Sequence, residues 1–388
     1  MNSLASLPAL GSLAEVSSAM TPEVTMLLET ADRLFKKSKG SERFRLSRGD
    51  MESARRNSIW TSVSSLGIAG MCAPSRLGGS NMDLRAGVLL AELVGRNLAP
   101  EPFVACSFFP TAFLSLVEGP LVDQLLTDAI NGTAMPVMAV DDRDSESSAI
   151  FISFEAGKAV VRGLRRFVHG AAWATHFIVS ARMDQQPCAV IVPATAERLH
   201  IETVELADGS FRADLRLDGV ELDSLQVVAT GADCQEWLRR AIDWTTVAIS
   251  AELFGIETTL FGTTLDYLKT RTQFDRLIGS FQALQHRAVG LYCGKEIARY
   301  LIAETMQDLD SSPTPLSRSL LASRCKARAA DSAFQVGRES VQMHGAMGFS
   351  DESDVGLYLK RTMVLSAWLG GQDYHRRRFS RLSRPMSS

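Results

Sequence analysis

Residues Arg271 to Gln282 read RTQFDRLIGSFQ, and the fold turns on what this stretch separates. Upstream, QEWLRRAIDWTTVAISAELFGIETTLFGTTLDYLKT runs from Gln235 to Thr270 without a proline, which predicts one long helix. Downstream, FQALQHRAVGLYCGKEIARYLIAETMQDLD repeats apolar positions at Leu284, Leu291, Ala298 and Ile302, the spacing of a helix face. A third segment, SRSLLASRCKARAADSAFQVGRESVQMHG, closes on Gly345, a C-terminal stop signal. Long helices with short connections make an antiparallel bundle. The quoted stretch is then a corner between two helices, with Gln282 opening the second. An arginine, a hydroxyl, an amide and an aromatic (Arg271, Thr272, Gln273, Phe274) can clamp a pyrophosphate and a flat ring. The same residues can also do no more than finish a helix. Gly345-Ala346-Met347-Gly348 either lets a ligand approach the backbone closely or caps the third helix.

Working towards the N-terminus, the character changes twice. The segment of about residues 135–232 holds short runs rich in β-branched residues, such as HFIVSAR and CAVIVPA. Asp208-Gly209 and Asp218-Gly219 read as tight turns between strands. Residues 1–134 return to helical spacing in VTMLLETADRLF and AGVLLAELVGRNLAP, with Pro100 as a stop. The expected organisation is an N-terminal helical domain (1–134), a middle β domain (135–232) and a C-terminal helical bundle (233–388). The most apolar run, FVACSFFPTAFLSLV from Phe103 to Val117, is too short to span a bilayer and is broken by Pro110. It predicts a buried pair of helices.

Composition excludes several function classes. With 46% apolar and 22% charged residues among 388, the chain is an ordinary globular protein, large enough for two or three compact regions. A net charge of −3 gives no global attraction to nucleic acid or acidic membranes, so neither is expected as a partner. The basic runs KKSKGSERFRLSR and Arg376–Arg384 read as solvated or subunit-facing helix surfaces. The six cysteines form no C-x-x-C pair, which argues against a zinc site or disulfide framework and fits a reducing cytoplasm. The N-terminus lacks a basic start and long apolar core, so no secretory signal is expected. No G-x-G-x-x-G, G-x-S-x-G, H-E-x-x-H or P-loop pattern occurs.

Taken together, the segments resemble the acyl-CoA dehydrogenase family. Its R-x-x-F-G…F/H-Q element is similar to Arg271-Thr272-Gln273-Phe274-Asp275…Phe281-Gln282, and its Q-x-x-G-G-x-G element to Gln342-Met343-His344-Gly345-Ala346-Met347-Gly348. PSRLGGSNMDLRAGVLLAELVGRNLAPEP resembles its N-terminal P-x-x-x-G-G region, and GLRRFVHGAAWATHFIVSAR its G-x-K-x-W-I-T-N stretch. The resemblance spans about residues 20 to 380. It implies the family fold, an α protein with a central β-barrel-like domain and a C-terminal four-helix bundle. It also implies α,β-dehydrogenation of an acyl-CoA thioester with FAD as cofactor and, as is usual in the family, electron-transfer flavoprotein as acceptor. A base takes the proton beside the thioester carbonyl while hydride leaves the next carbon, so a polarised carbonyl and a nearby carboxylate are needed.

On that resemblance, Arg271, Gln273, Phe274, Phe281, Gln282, Gln342, Gly345, Ala346 and Gln372 would serve the flavin, with Phe167 and His169 by its ring. Departures from the family pattern carry equal weight. Its Tyr-Glu-Gly-Thr base segment is matched by Leu369-Gly370-Gly371-Gln372, so Gly370 stands where the glutamate would be. A base position used by other members falls, by count along an unbroken helix, at Thr245 and Thr246. The T-E-P-x-A-G-S-D loop is replaced by Ala139–Ser147, and Phe167-Val168-His169 replaces the tryptophan and threonine. Two other carboxylates are candidates. Asp373 either supplies a displaced base or caps the helix beginning YHRRRFSRL. Glu252 either supplies it or pairs within the bundle.

Three readings follow. The chain is one subunit of an unlike-subunit dehydrogenase completing a partner's FAD site; or an active homo-oligomer with a displaced base; or a non-catalytic acyl-CoA- or flavin-binding protein.

Overall fold

Helices come first along the chain: α1 (Pro22–Lys37), α2 (Gly40–Ser47), α3 (Met51–Arg56), α4 (Trp60–Ser65), α5 (Leu84–Arg96), α6 (Phe109–Leu114) and α7 (Pro120–Ile130). Thr21 starts α1 by accepting from the Val24 amide through its hydroxyl, with Pro22 in the first turn, the preferred N-terminal chemistry. The computed structural model describes residues 10–17, 20–140, 150–311 and 314–384. Residues 141–147 of the replaced loop lie outside them.

Strands β1 (Pro136–Ala139), β2 (Ile150–Glu155), β3 (Lys158–His169), β4 (His176–Met183), β5 (Gln186–Pro193), β6 (Leu199–Glu205), β7 (Phe211–Leu222) and β8 (Val227–Thr230) follow. They form one sheet of order β6-β7-β3-β2-β4-β5-β8, with β1 paired to β4. The β1–β4 and β2–β4 pairs are parallel and the other pairs antiparallel. The chain then returns to helix: α8 (Gly231–Thr270), a short hairpin of β9 (Thr272–Gln273) and β10 (Arg276–Leu277), α9 (Gln282–Ser311), α10 (Pro315–His344), α11 (Ala346–Phe349), α12 (Val355–Ala367) and α13 (Gln372–Leu382). No helix among the described residues is long and apolar enough to cross a membrane.

Two local expectations are corrected. Asp218-Gly219 is not a turn: it lies inside β7, where the register against β3 slips between Val161 and Arg162. Gly219 has φ +85°, so the Asp-Gly pair makes a bulge, the other use of a left-handed glycine. Asp208-Gly209 does turn the chain, with Gly209 N–H donating to Leu206 O. The Phe103–Val117 run is one buried helical stretch, a π-helical turn over Val104–Phe108 leading into α6, rather than two helices. Pro110 has no N–H to return to the preceding turn, and a widened turn accommodates that loss.

Two compact units divide the chain. One comprises residues 1–44, 88–99 and 246–388, the other 45–87 and 100–245. The second holds the sheet, whose core is β4 and β5: Phe177, Ile178, Val179, Cys188, Ala189, Val190 and Val192 are all fully buried. In the first, α10 packs against α9, α12 and α13. Helix α5 meets α8 in this unit through two glycines. A Cβ on Gly95 would fall 2.0 Å from the Glu252 carbonyl, and one on Gly255 2.1 Å from the Glu92 carbonyl, so only glycine permits backbones this close.

Candidate functional site

Helix α12 ends in a turn, Trp368–Gly371, that leads into α13. Leu369 and Gly370 both have left-handed backbones, φ +54° and +100°. Buried side chains hold the carbonyls left free at this helix end. Lys326 Nζ, from α10, donates to Leu365 O at 2.7 Å and Trp368 O at 3.0 Å. His375 Nε2, from α13, donates to Leu369 O at 3.0 Å. Burial pushes the Lys326 ammonium down to about 7, against the opposing pull of Cys325 and Glu252. Burial, with the charges of Lys326 and Arg378, pushes His375 down to about 3. His375 is therefore a neutral Nε2–H tautomer, a positioning group rather than a proton carrier.

Gly370 is buried, and a Cβ there would lie 2.3 Å from Cδ1 of the Tyr374 ring. A side chain at 370 meets two obstacles, a left-handed φ and an aromatic ring already in the space.

The two replacement carboxylates have different surroundings. Glu252, on α8, is 2% exposed. Its Oε1 accepts from Arg361 of α12 at 2.8 Å (Nη2) and 3.2 Å (Nε). Asp373 is exposed in the first turn of α13, whose N-cap is Gly371 rather than Asp373. There it complements the positive end of the helix. Thr245 and Thr246 are both buried, and Thr245 Oγ1 has no hydrogen-bond partner among the described residues.

The residues of the first unit that the resemblance assigns to the flavin lie at the other end of the long helices. The Tyr267 ring of α8 stacks on His344 of α10, centroids 4.3 Å apart, and Tyr267 O–H donates to His344 O at 3.4 Å. This places the hairpin that starts at Arg271 beside the Gln342–Gly348 segment. His344 Nδ1 donates to Ser340 O at 2.8 Å, which commits that nitrogen to its own helix. In the hairpin, Phe274 and Asp275 both have positive φ, +54° and +59°, the geometry of a type I′ turn that ordinarily wants Asn-Gly. Phe274 is 85% exposed. It meets Phe281 edge-on at 6.2 Å, and the Arg276 guanidinium covers the Phe281 ring at 4.0 Å. Arg271, Gln273, Gln282, Gln342, Gly345 and Ala346 are all exposed. Gly345 has φ +59° and nothing within 4 Å of where a Cβ would stand. Open backbone, arginines and an exposed aromatic fit the pyrophosphate and ring of an ADP arm. Gln372 opens α13 and is half-buried.

Phe167 and His169 belong to the second unit, on β3. A register shift between Arg165 and Val168 turns Phe167 to φ +60°. The Phe167 amide donates to Asp214 Oδ1 at 2.9 Å, and the Arg212 guanidinium lies 4.1 Å from its ring centroid. His169 pairs in register with Arg212. No group of three His, Cys, Asp or Glu side chains suited to a metal occurs among the described residues.

Sequence reasoning missed Lys326, Tyr374 and the Tyr267–His344 stack. Lys326 was the most accessible of these, since it shares a helix face with Ala322, Ala329 and Ala333, all buried.

Residues 236–382 match the family model for the acyl-CoA dehydrogenase C-terminal domain. The chain is 27% identical over 345 residues to acyl-CoA dehydrogenase IpdE2 of Mycobacterium tuberculosis, covering 88% of this chain and 92% of that protein. It is 24% identical over 329 residues to acyl-CoA dehydrogenase FadE27 of the same organism, covering 83% and 87%. Among solved structures, the ChsE4–ChsE5 complex from Mycobacterium tuberculosis superposes with a TM-score of 0.85 at 22% identity, covering 94% of this chain and 99% of that one.

Proposed function

Because the chain belongs to the acyl-CoA dehydrogenase family, we propose that it is one subunit of an unlike-subunit acyl-CoA dehydrogenase that supplies part of its partner's FAD site. The partner carries the base that takes the α-proton of the acyl-CoA thioester, and the product is the 2-enoyl-CoA. FAD is the cofactor, and when bound it accepts the hydride from the β-carbon. In this chain Arg271 and Gln273 hold the pyrophosphate, Phe274 covers the adenine, and the open backbone at Gly345 and Ala346 lets the ADP arm lie close. Electron-transfer flavoprotein is the acceptor.

One observation carries the reading: Gly370, which the resemblance matches to the family's glutamate, has a left-handed backbone with the Tyr374 ring in the space of a side chain. One in-chain alternative, Glu252, is already paired with Arg361. A buried carboxylate whose oxygen already accepts two arginine N–H bonds is a poor acceptor for a carbon acid. The existence of a ChsE4–ChsE5 complex on the same fold supports a mixed assembly. The test is an anaerobic titration of the FAD-reconstituted chain with a panel of acyl-CoAs, alone and mixed with a base-carrying family member. The reading expects the flavin band to persist for the chain alone and to bleach in the mixture. Bleaching by the chain alone would sink it and direct attention to Asp373 and Glu252.

A further inference from the structure

Deep in the helical bundle lies a carboxyl group that neither the hairpin nor the closed turn uses. Glu257 of α8 is fully buried, and its neighbours one turn away on that helix, Leu253, Phe254, Leu260 and Phe261, are buried and apolar. Ser332 of α10 donates to Glu257 Oε1 at 2.5 Å, while Glu257 Oε2 has no hydrogen-bond partner among the described residues. The Ser332 hydroxyl also lies 3.4 Å from where a Cβ on Gly294 of α9 would stand. Three helices therefore meet at this carboxyl. A buried carboxylate calls for several donors or a paired cation. One hydroxyl and one bare oxygen suit the neutral acid instead.

A cation is close by and engaged elsewhere. Lys295 of α9 is fully buried, and its Nζ donates to Glu296 Oε1, on its own helix, at 2.6 Å. The same Nζ lies 5.3 Å from the Phe254 ring centroid and 5.6 Å from that of Tyr292, a cation–π setting. Glu296 does not rely on Lys295, because Arg299 Nη2 holds its Oε2 at 2.9 Å. Arg328 of α10 also reaches this junction, its Nη2 donating to Gly294 O at 3.1 Å. Burial pushes the Glu257 carboxyl up to about 7; Ser332, Lys295 and Arg328 pull it down, and Glu296 adds to the rise. Glu92 and Arg96 belong to α5, which meets α8 at Gly255, two residues and so about 200° around the helix from Glu257.

We propose that Glu257, Ser332 and Lys295 form a proton-operated latch between α8, α9 and α10. With its proton, Glu257 sits neutral in the closed core and takes the Ser332 hydrogen bond. Loss of that proton to solvent leaves a buried charge between apolar side chains. Lys295 can meet it by turning its Nζ away from Glu296, where Arg299 remains, and towards α8. The junction then loosens, because the ammonium leaves its aromatic neighbours and the core must hold an ion pair. The latch concerns the helices on either side of the hairpin and does not depend on the flavin reading.

The experiment follows the full chain by infrared spectroscopy and hydrogen exchange across neutral pH, in the wild type and in Glu257→Gln, Lys295→Met and Ser332→Ala variants. The expected result is the carbonyl band of a neutral buried acid, lost as pH rises through about 7 and absent from Glu257→Gln. Lys295→Met should move that loss about one pH unit higher, the size of shift that one nearby opposite charge gives. Burial also holds Glu92 towards its neutral form. The band is therefore assigned by its absence in Glu257→Gln or, should that variant not fold, by its displacement in Ser332→Ala. Folded Glu257 keeps a proton that the unfolded chain loses near 4.5, so this group makes stability fall as pH rises between the two values. Amide protection in α8 and α10 beside the carboxyl should drop about tenfold over that interval, after correction for base-catalysed exchange, and should hold in Glu257→Gln. A carboxyl ionised throughout, with no band lost, overturns the latch. So does a wild type whose protection follows that of Glu257→Gln at every pH, or a titration that Lys295→Met leaves in place.

Discussion

Two turns in the first unit use the same backbone device in opposite surroundings. At Leu369-Gly370 two consecutive left-handed residues are buried, and Lys326, His375 and Tyr374 account for the space and carbonyls around them. At Phe274-Asp275 two consecutive left-handed residues stand in solvent, with an aromatic ring 85% exposed at the tip. Left-handed non-glycine residues cost about 1–2 kcal/mol each, and strain of this kind persists where the surroundings fix it or where function uses it. Packing fixes the first. The second is what a two-residue hairpin between Gln273 and Arg276 requires, and it leaves the Phe274 ring facing solvent. A closed turn and an open hairpin fit the helper-subunit reading proposed above.

That contrast can be broken most forcefully at the ion pair behind the closed turn. Glu252→Ala leaves the Arg361 guanidinium buried without its carboxylate and should cost about 3–5 kcal/mol in urea denaturation. A Glu252→Met/Arg361→Met double variant should regain most of it. Full retention of stability in the single variant would mean that the pair is not structural, and would revive Glu252 as a base.

Gly370→Glu should lose about 2–3 kcal/mol from φ strain and overlap with Tyr374, and should show no acyl-CoA-dependent bleaching of flavin. Adding Tyr374→Ala should restore part of the stability. Bleaching in the single variant would show that the turn is more open than its geometry.

Lys326→Met tests how the turn is held. An unfolded lysine titrates near 10.5 and the folded Lys326 near 7. Between those values the unfolded chain binds more protons, so Lys326 makes stability rise with pH across that window. The variant should flatten this slope. It should also cost about 2 kcal/mol near pH 9, where the carbonyls of Leu365 and Trp368 lose their donor. An unchanged slope in a pH series of thermal melts would show that Lys326 stays charged.

On the open side, Phe274→Ala should weaken flavin retention in the mixed oligomer about tenfold, the worth of one well-placed aromatic contact. Stability of the isolated chain should stay within about 0.5 kcal/mol. The smallest effect is expected from Asp275→Gly, which relieves one left-handed residue and should stabilise the hairpin by up to about 1 kcal/mol. Destabilisation there would mean that the Asp275 side chain supports the turn.

The order of helices, strands and helices was legible because apolar spacing switches period at each change, and Gly345 marked the end of α10 as expected. Asp218-Gly219 misled because a left-handed glycine serves a turn and a bulge equally, and only strand pairing distinguishes them. The residues expected to serve the flavin stand out as a local pattern, and Gly370 only as a missing letter in one. That Glu252 is bound to Arg361, 109 residues away, and that Tyr374 fills the space at Gly370 are tertiary facts without a local signal. Lys326 had one: a lysine on a face of buried alanines must find partners for its head group, although its position alone could not name them.

The Tyr374 ring over Gly370 also dictates the order in which this chain could change. A glutamate arriving first at 370 meets both the ring and the left-handed backbone, so the folded protein is penalised before any activity is gained. Removal of the ring must come first, and in a glycine background that step opens a hole and brings no carboxylate. Neither single change is rewarded on its own. A lineage that reached this arrangement is held in it by the sequence of steps needed to leave.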